Sequence, residues 1–278
     1  MPKTFTVASG RASLAGTTDV GEDSGGPPLV FLHAGVADQR MWQAQMAAFA
    51  PSRRVVAYDR RGFGDTEGPA ETFSHVDDLK AVLDHLMLEP PVLVGASQGG
   101  RIAIDFALTY PDGAAGLFLV SPAVTGAPSP GEYPPAVEAL LDQVEEAEEA
   151  EDLERVNRLE AWIWLDGPAG DEGRVGGALR DLFLDMNAIA LKAPEPGDET
   201  NPASSPAAYT RLGDLKLPAQ VLWGDLDFSH IQQRCMHLVQ AMPRAVGSAI
   251  PGSAHLPNLE QPDVFNRHLQ TFLVTFVR

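Results

Sequence analysis

Five short apolar runs constrain this chain more than any other feature: residues 29–32 (LVFL), 54–58 (RVVAY), 91–94 (PVLV), 116–120 (GLFLV) and 219–223 (AQVLW). Runs of this length without polar alternation read as strands buried on both faces. Segments of helical spacing lie between them, clearest in Val76, Leu79, Val82, Leu83 and Leu86. Strands alternating with helices predict right-handed βαβ crossovers, and so an α/β fold with a mostly parallel sheet and helices on both faces. Ahead of this pattern, residues 4–20 alternate weakly around Ser9-Gly10 and predict an antiparallel hairpin. Residues 19–28 (DVGEDSGGPP) read as a polar connector.

The alternation stops between residues 122 and 217. Five prolines, Pro122, Pro128, Pro130, Pro134 and Pro135, open the interval. Helical faces then recur at Val137, Leu140, Leu141 and Val144, at Leu153, Val156, Leu159 and Ile163, and over 179–191. The acidic run from Glu145 to Asp152 reads as a solvated helix face or as the bend between two helices. Such an interruption predicts a helical lid, 122–217, set into a core of residues 1–121 and 218–278. In the second part of the core, a helix is expected over 231–242, a strand over 245–250 and one closing helix over 257–277.

Composition narrows the function. A length of 278 residues suits one α/β domain with an insertion, and 44% hydrophobic content supplies its core. The formal charge of −18 argues against nucleic acid and anionic membrane as partners, because phosphates would be repelled. The single cysteine, Cys235, excludes an intrachain disulfide and a multi-cysteine metal site. The first residues lack the apolar stretch of a secretory signal, and no run reaches membrane-spanning length, so a cytoplasmic protein is expected.

The chemistry concentrates in loops that follow the predicted strands, the edge at which open parallel sheets carry their crevice. Gly95-Ala96-Ser97-Gln98-Gly99 follows one strand and opens a helix. A serine on so sharp a turn needs small neighbours, which Gly95, Gly99 and Gly100 supply. The geometry exposes the Ser97 hydroxyl and leaves the Gln98 N–H at a helix start, where it can meet a developing oxyanion. A serine nucleophile needs a general base and the base needs an orienting carboxylate. Asp225 and Asp227 follow one later strand and His255 follows the next, so the order is Ser, Asp, His. Asp225, Asp227 and His230 do not form a recognisable metal-ligand spacing, and Gly62-x-Gly64 lacks the third glycine of a dinucleotide site. Neither cofactor nor metal is expected.

In these features the chain resembles the α/β-hydrolases nearly end to end. His33-Ala34-Gly35 is similar to the family's oxyanion turn, with Ala34 where glycine is usual. Asp59-Arg60-Arg61-Gly62-Phe63-Gly64-Asp65-Thr66 resembles its D-x-R-G-x-G-x-S/T loop, and Gly224-Asp225-Leu226-Asp227 its G-D-x-D acid turn. Ala254-His255 with Glu260 and Pro262 resembles its histidine turn and closing helix. The resemblance implies Ser97, Asp227 and His255 as catalytic residues, with Gln98 and either Gly35 or Val36 as oxyanion donors, Gly35 being favoured by alignment to the family turn. It implies a small-molecule ester or lactone as substrate, as in lidded esterases of the 3-oxoadipate enol-lactonase type. Trp162, Trp164 and Val36 are candidates for the substrate pocket. The same triad also serves C–C bond hydrolases and perhydrolases, and a hydrolase-like receptor is the reading of another class. A haloalkane dehalogenase would carry Asp at position 97.

Overall fold

The fold is described on a computed structural model, over residues 2–21 and 25–277. Its strands are β1 (Lys3–Ser9), β2 (Ala12–Asp19), β3 (Leu29–Leu32), β4 (Val55–Tyr58), β5 (Val92–Ala96), β6 (Gly116–Val120), β7 (Ala219–Gly224) and β8 (Ala245–Ile250). They make an eight-stranded sheet in the order β1-β2-β4-β3-β5-β6-β7-β8. The expected hairpin is β1–β2, and β2 also pairs antiparallel with β4. Every pairing from β4 to β8 is parallel. Residues 22–24 of the predicted connector lie outside the described residues.

Side chains alternate across the pleat, so each central strand feeds two cores. Leu29, Phe31, Val92, Val94 and Phe118 pack on one face with α1 (Gln43–Phe49) and the C-terminal helix. There Phe118 meets the rings of Phe265 at 5.3 Å and Phe272 at 5.7 Å. Val30, Leu32, Leu93, Leu117 and Val221 point the other way, onto α2 (His75–His85), α3 (Gln98–Thr109) and α7 (Ser229–Ala241). Strands β3 to β6 are buried at every residue, which explains why their runs lack polar alternation. Each such Leu or Phe stabilises the fold by about 1.5–3 kcal/mol.

The closing helix differs from expectation. It is two helices, α8 (Pro257–Glu260) and α9 (Pro262–Phe276), because Pro262 has no N–H to continue the ladder and bars Gln261 from helical geometry. Between β6 and β7 lie α4 (Pro135–Glu149), α5 (Leu153–Ala161), a π-turn (Trp162–Asp166) and α6 (Gly177–Lys192). Both readings of the acidic run hold in part. Glu145 to Glu149 close α4, whereas Glu151, at φ 53°, and Asp152, which caps α5, make the bend. Phe183 and Met186 of α6 are buried in the same core as Ala34 and Val36, and Asp185 of α6 pairs with Arg40, so this segment packs on the stretch after β3.

One arginine joins the insertion to the loop after β8. Arg174 donates to the carbonyls of Leu165, Asp166 and Gly252, and its guanidinium pairs with Glu260 at 2.6 Å. Glu260 in turn accepts the Ala254 N–H at 2.7 Å.

Candidate active site

Because β3 to β8 are parallel, the loops that follow them share one edge of the sheet. Ser97 occupies the turn from β5 to α3 with φ 50° and ψ −114°, outside the regions that L-residues favour. Strain of this kind costs about 1–3 kcal/mol and persists only where the surroundings enforce it. Here the Ser97 N–H donates to Val120 O at 2.9 Å, and the Ser97 carbonyl accepts from Arg101 N at 3.1 Å and Ala123 N at 3.0 Å. A Cβ on Gly99 would stand 2.1 Å from Leu32 O, so only glycine lets the turn pack this closely on β3. Ser97 is half-buried and Gln98, the first residue of α3, is exposed. The Gln98 N–H belongs to the first helical turn, where amides lack intrahelical partners.

The two aspartates after β7 divide their work. Asp225 Oδ1 accepts the Gly252 N–H at 2.7 Å and thereby braces the neighbouring loop. Asp227 is buried; its Oδ2 lies 2.7 Å from His255 Nδ1 and its Oδ1 accepts the Phe228 N–H at 2.8 Å. A carboxylate only accepts, so Nδ1 carries the hydrogen and Nε2 remains free as a base. Gly224 makes the approach feasible, since a Cβ there would fall 2.0 Å from Ala254 O. No hydrogen bond joins Ser97 to His255 among the described residues, and such bonds tighten when substrate is bound.

Across from Ser97 lies the turn of His33, Ala34, Gly35 and Val36. His33 is buried, its Nδ1 2.8 Å from Ala34 O and its Nε2 accepting the Arg60 N–H at 3.0 Å. Burial, with the Arg60 charge second, pushes its pKa well below the usual histidine range. It is a neutral brace. The Gln98 amide rests on Gly35, where a Cβ would come within 2.7 Å of Gln98 Nε2. Val36, the last residue of that turn, is buried with Ala34 in one core.

The two candidate pocket tryptophans part company. Trp164 lies against His255, ring centroids 4.7 Å apart, and its carbonyl accepts the His255 N–H. Trp162 donates from Nε1 to Gly170 O, within the insertion. Beyond Trp164 the aromatic wall continues through Phe228 at 5.5 Å to Tyr133 at a further 5.5 Å. Phe228, Tyr133 and Arg60 carry no motif of their own beyond Phe228's place directly after Asp227. Cavities of 580 and 540 Å³ flank the loop of residues 59–69, and neither is lined by Ser97 or His255. Asp59, on the first of them, accepts from Gln39 N, Gln39 Nε2 and Asp65 N, yet burial raises it to about 6. Among the described residues, no group of three or more His, Cys, Asp or Glu side chains is placed to hold a metal ion, and no helix is long and apolar enough to cross a membrane.

Comparison with known proteins agrees with this architecture. A family model described as "Alpha/beta hydrolase family" matches residues 29–268. The chain is 28% identical over 263 residues to a 2-hydroxy-6-oxononadienedioate/2-hydroxy-6-oxononatrienedioate hydrolase of Paraburkholderia phymatum, covering 90% of this chain and 88% of that protein. It is 23% identical over 257 residues to the carboxylesterase YbfK of Bacillus subtilis, covering 89% of this chain and 80% of that one. The enol-lactonase from Burkholderia xenovorans LB400 superposes with a TM-score of 0.75 at 22% identity, over 97% of this chain and all of that one, a likeness of fold.

Proposed function

Since the chain belongs to the alpha/beta hydrolase family, we propose that it is a serine hydrolase cleaving a carboxylic ester, lactone or similar acyl bond of a small molecule. The observation that carries this reading is the buried Asp227–His255 pair at 2.7 Å, on the same sheet edge as the strained Ser97. Ser97 Oγ attacks the carbonyl carbon while His255 Nε2 takes its proton, and the π pair moves to the carbonyl oxygen. The N–H groups of Gln98 and Gly35 receive that oxyanion, each such donor lowering the barrier by about 3 kcal/mol. His255 then gives its proton to the leaving group, and water repeats the sequence in reverse to free the acid. Asp227 holds the tautomer throughout. Residues 122–217 act as a lid over the core, with Trp164 as the wall nearest the base.

A second reading has a specific support, the C–C bond hydrolase among the relatives, and it uses the same three residues. Fluorophosphonate labelling followed by turnover of an ester and lactone panel tests the proposal. Labelling and hydrolysis that both vanish in Ser97→Ala are expected. A chain that turns over vinylogous diketones and no ester would favour the second reading, and labelling retained in Ser97→Ala would overturn both.

A further inference from the structure

Two adjacent arginines follow β4, and they are treated in opposite ways. Arg61 is neutralised twice, by Asp78 at 2.9 Å and Glu71 at 2.6 Å. Arg60 is 1% exposed, yet it forms no ion pair with any carboxylate of the described residues. Its contacts are to neutral groups. Nη1 donates to Gln98 Oε1 at 2.9 Å, Nη2 donates to Ala34 O at 3.2 Å, and the guanidinium lies 4.3 Å from the Phe63 ring centre. Its Nε is buried without a partner. Asp59 and Glu199 act on it without contact, and enclosing a cation that no carboxylate touches is costly even when hydrogen bonds and an aromatic face offset part of the loss. Burial lowers Arg60 only to about 10, so it keeps its charge at neutral pH.

The location supplies a reason. Gln98 and the Ala34–Gly35 turn are the two sides of the oxyanion site in the reading above, on which this inference rests. One guanidinium holds both: the Gln98 side chain through Nη1, and the turn through Nη2. The Arg60 N–H also fixes His33, whose other nitrogen contacts the same Ala34 carbonyl. We infer that Arg60 is a positioning residue for acyl transfer, clamping the two oxyanion donors in register and placing behind them a fixed positive charge that no carboxylate contacts and that can act on the tetrahedral oxyanion as it forms. Its burial keeps it from touching the substrate. An interaction realised only in the transition state raises turnover and leaves substrate binding alone. In a site of low dielectric that charge acts at far greater strength than in water.

The test compares wild type with Arg60→Met, which keeps the length of the side chain and removes the charge, and with Arg60→Gln. Three quantities are read: kcat and KM for p-nitrophenyl acetate, inhibition by phenylboronic acid, which becomes tetrahedral on a serine, and Tm. A fall in kcat of about 10- to 100-fold is expected, with KM within about twofold and boronate affinity weakened by the factor lost in kcat. Tm should hold or rise, because an unpaired buried charge has been removed. Should Arg60→Met not be recovered folded, the same split is read on Arg60→Gln. A kcat within about threefold of wild type overturns the inference. So does a parallel loss of kcat, KM and Tm with boronate affinity unchanged, which marks a merely structural residue. Wild-type esterase activity that is lost in Ser97→Ala but kept in Arg60→Met removes this inference alone. A wild type inert towards every ester removes it together with the reading beneath it.

Discussion

Asp225 and Asp227 stand two residues apart and serve different partners, Asp225 the Gly252 N–H and Asp227 the imidazole of His255, each at 2.7 Å. The chain has left β7 at this point, so the turn sends the two carboxylates in different directions. Asp227→Asn is expected to lower turnover by about 10⁴-fold, since an amide cannot hold the required tautomer. Asp225→Asn is expected to cost about 0.5–1.5 kcal/mol of stability and little activity. Steady-state kinetics and denaturant melts on both variants decide the matter; the reverse pattern would falsify the assignment.

The tryptophans separate along a similar line. Trp164→Ala removes the ring beside His255 and should change which acyl groups are accepted in an ester panel. Trp162→Ala breaks the bond to Gly170 O and should cost about 1–3 kcal/mol while leaving the panel unchanged. Equal shifts in preference from both variants would mean that Trp162 too borders the substrate.

Two glycines near Ser97 predict different failures. In Gly99→Ala the new methyl meets the Leu32 backbone at 2.1 Å, which cannot yield cheaply, so stability and activity should fall together by about 1–3 kcal/mol or more. In Gly35→Ala it meets the end of the flexible Gln98 side chain at 2.7 Å. That amide can swing away, so kcat should fall with Tm nearly unchanged. Melting curves beside kcat values would expose a Gly35→Ala that melts as early as Gly99→Ala, the result that contradicts this.

Asp59 gives stability a pH dependence of defined sign. Burial raises its carboxyl from 3.8 in the unfolded chain to about 6 in the fold, so the native state holds the proton more tightly. The resulting stabilisation is complete below the unfolded value and is lost as pH rises through about 6. Its full size is at most about 3 kcal/mol. The Tm of wild type minus that of Asp59→Asn should therefore fall, in sign as well as size, as pH rises from about 4 to 7. A difference that stays constant or grows with pH would show that Asp59 is not held protonated.

Much of the architecture was legible because it depends on local pattern. The buried runs of β3 to β6 announce strands, and Gly95, Gly99 and Gly100 announce a close turn whose steric need is local. Partners brought together by the tertiary fold were not legible. The helical pair Arg101–Asp105 forms at 3.9 Å, as its i,i+4 spacing allows, but the shorter bond of Arg101, at 2.8 Å, is to Glu199, 98 residues away, and nothing local announces it. Nothing local marks Tyr133, in a proline-rich stretch, as a neighbour of Phe228. The unpaired state of Arg60 likewise follows from which carboxylates the finished fold brings to Arg61 instead. The split of the closing helix could have been read from Pro262, whose effect on Gln261 is local.

The bonds of Arg174 bear on how this protein can be re-engineered or can diverge. Leu165, Asp166, Gly252 and Glu260 meet on that one side chain, and the His255 N–H closes on Trp164 O nearby. The segment between β6 and β7 is therefore not an interchangeable module. A chimaera that takes this segment from another hydrolase also discards the supports of His255, the base of the proposed mechanism. Transplants should work only when the Trp164 and Arg174 positions travel with a matched residue at Glu260, so that point changes on this segment should be tolerated more readily than its exchange.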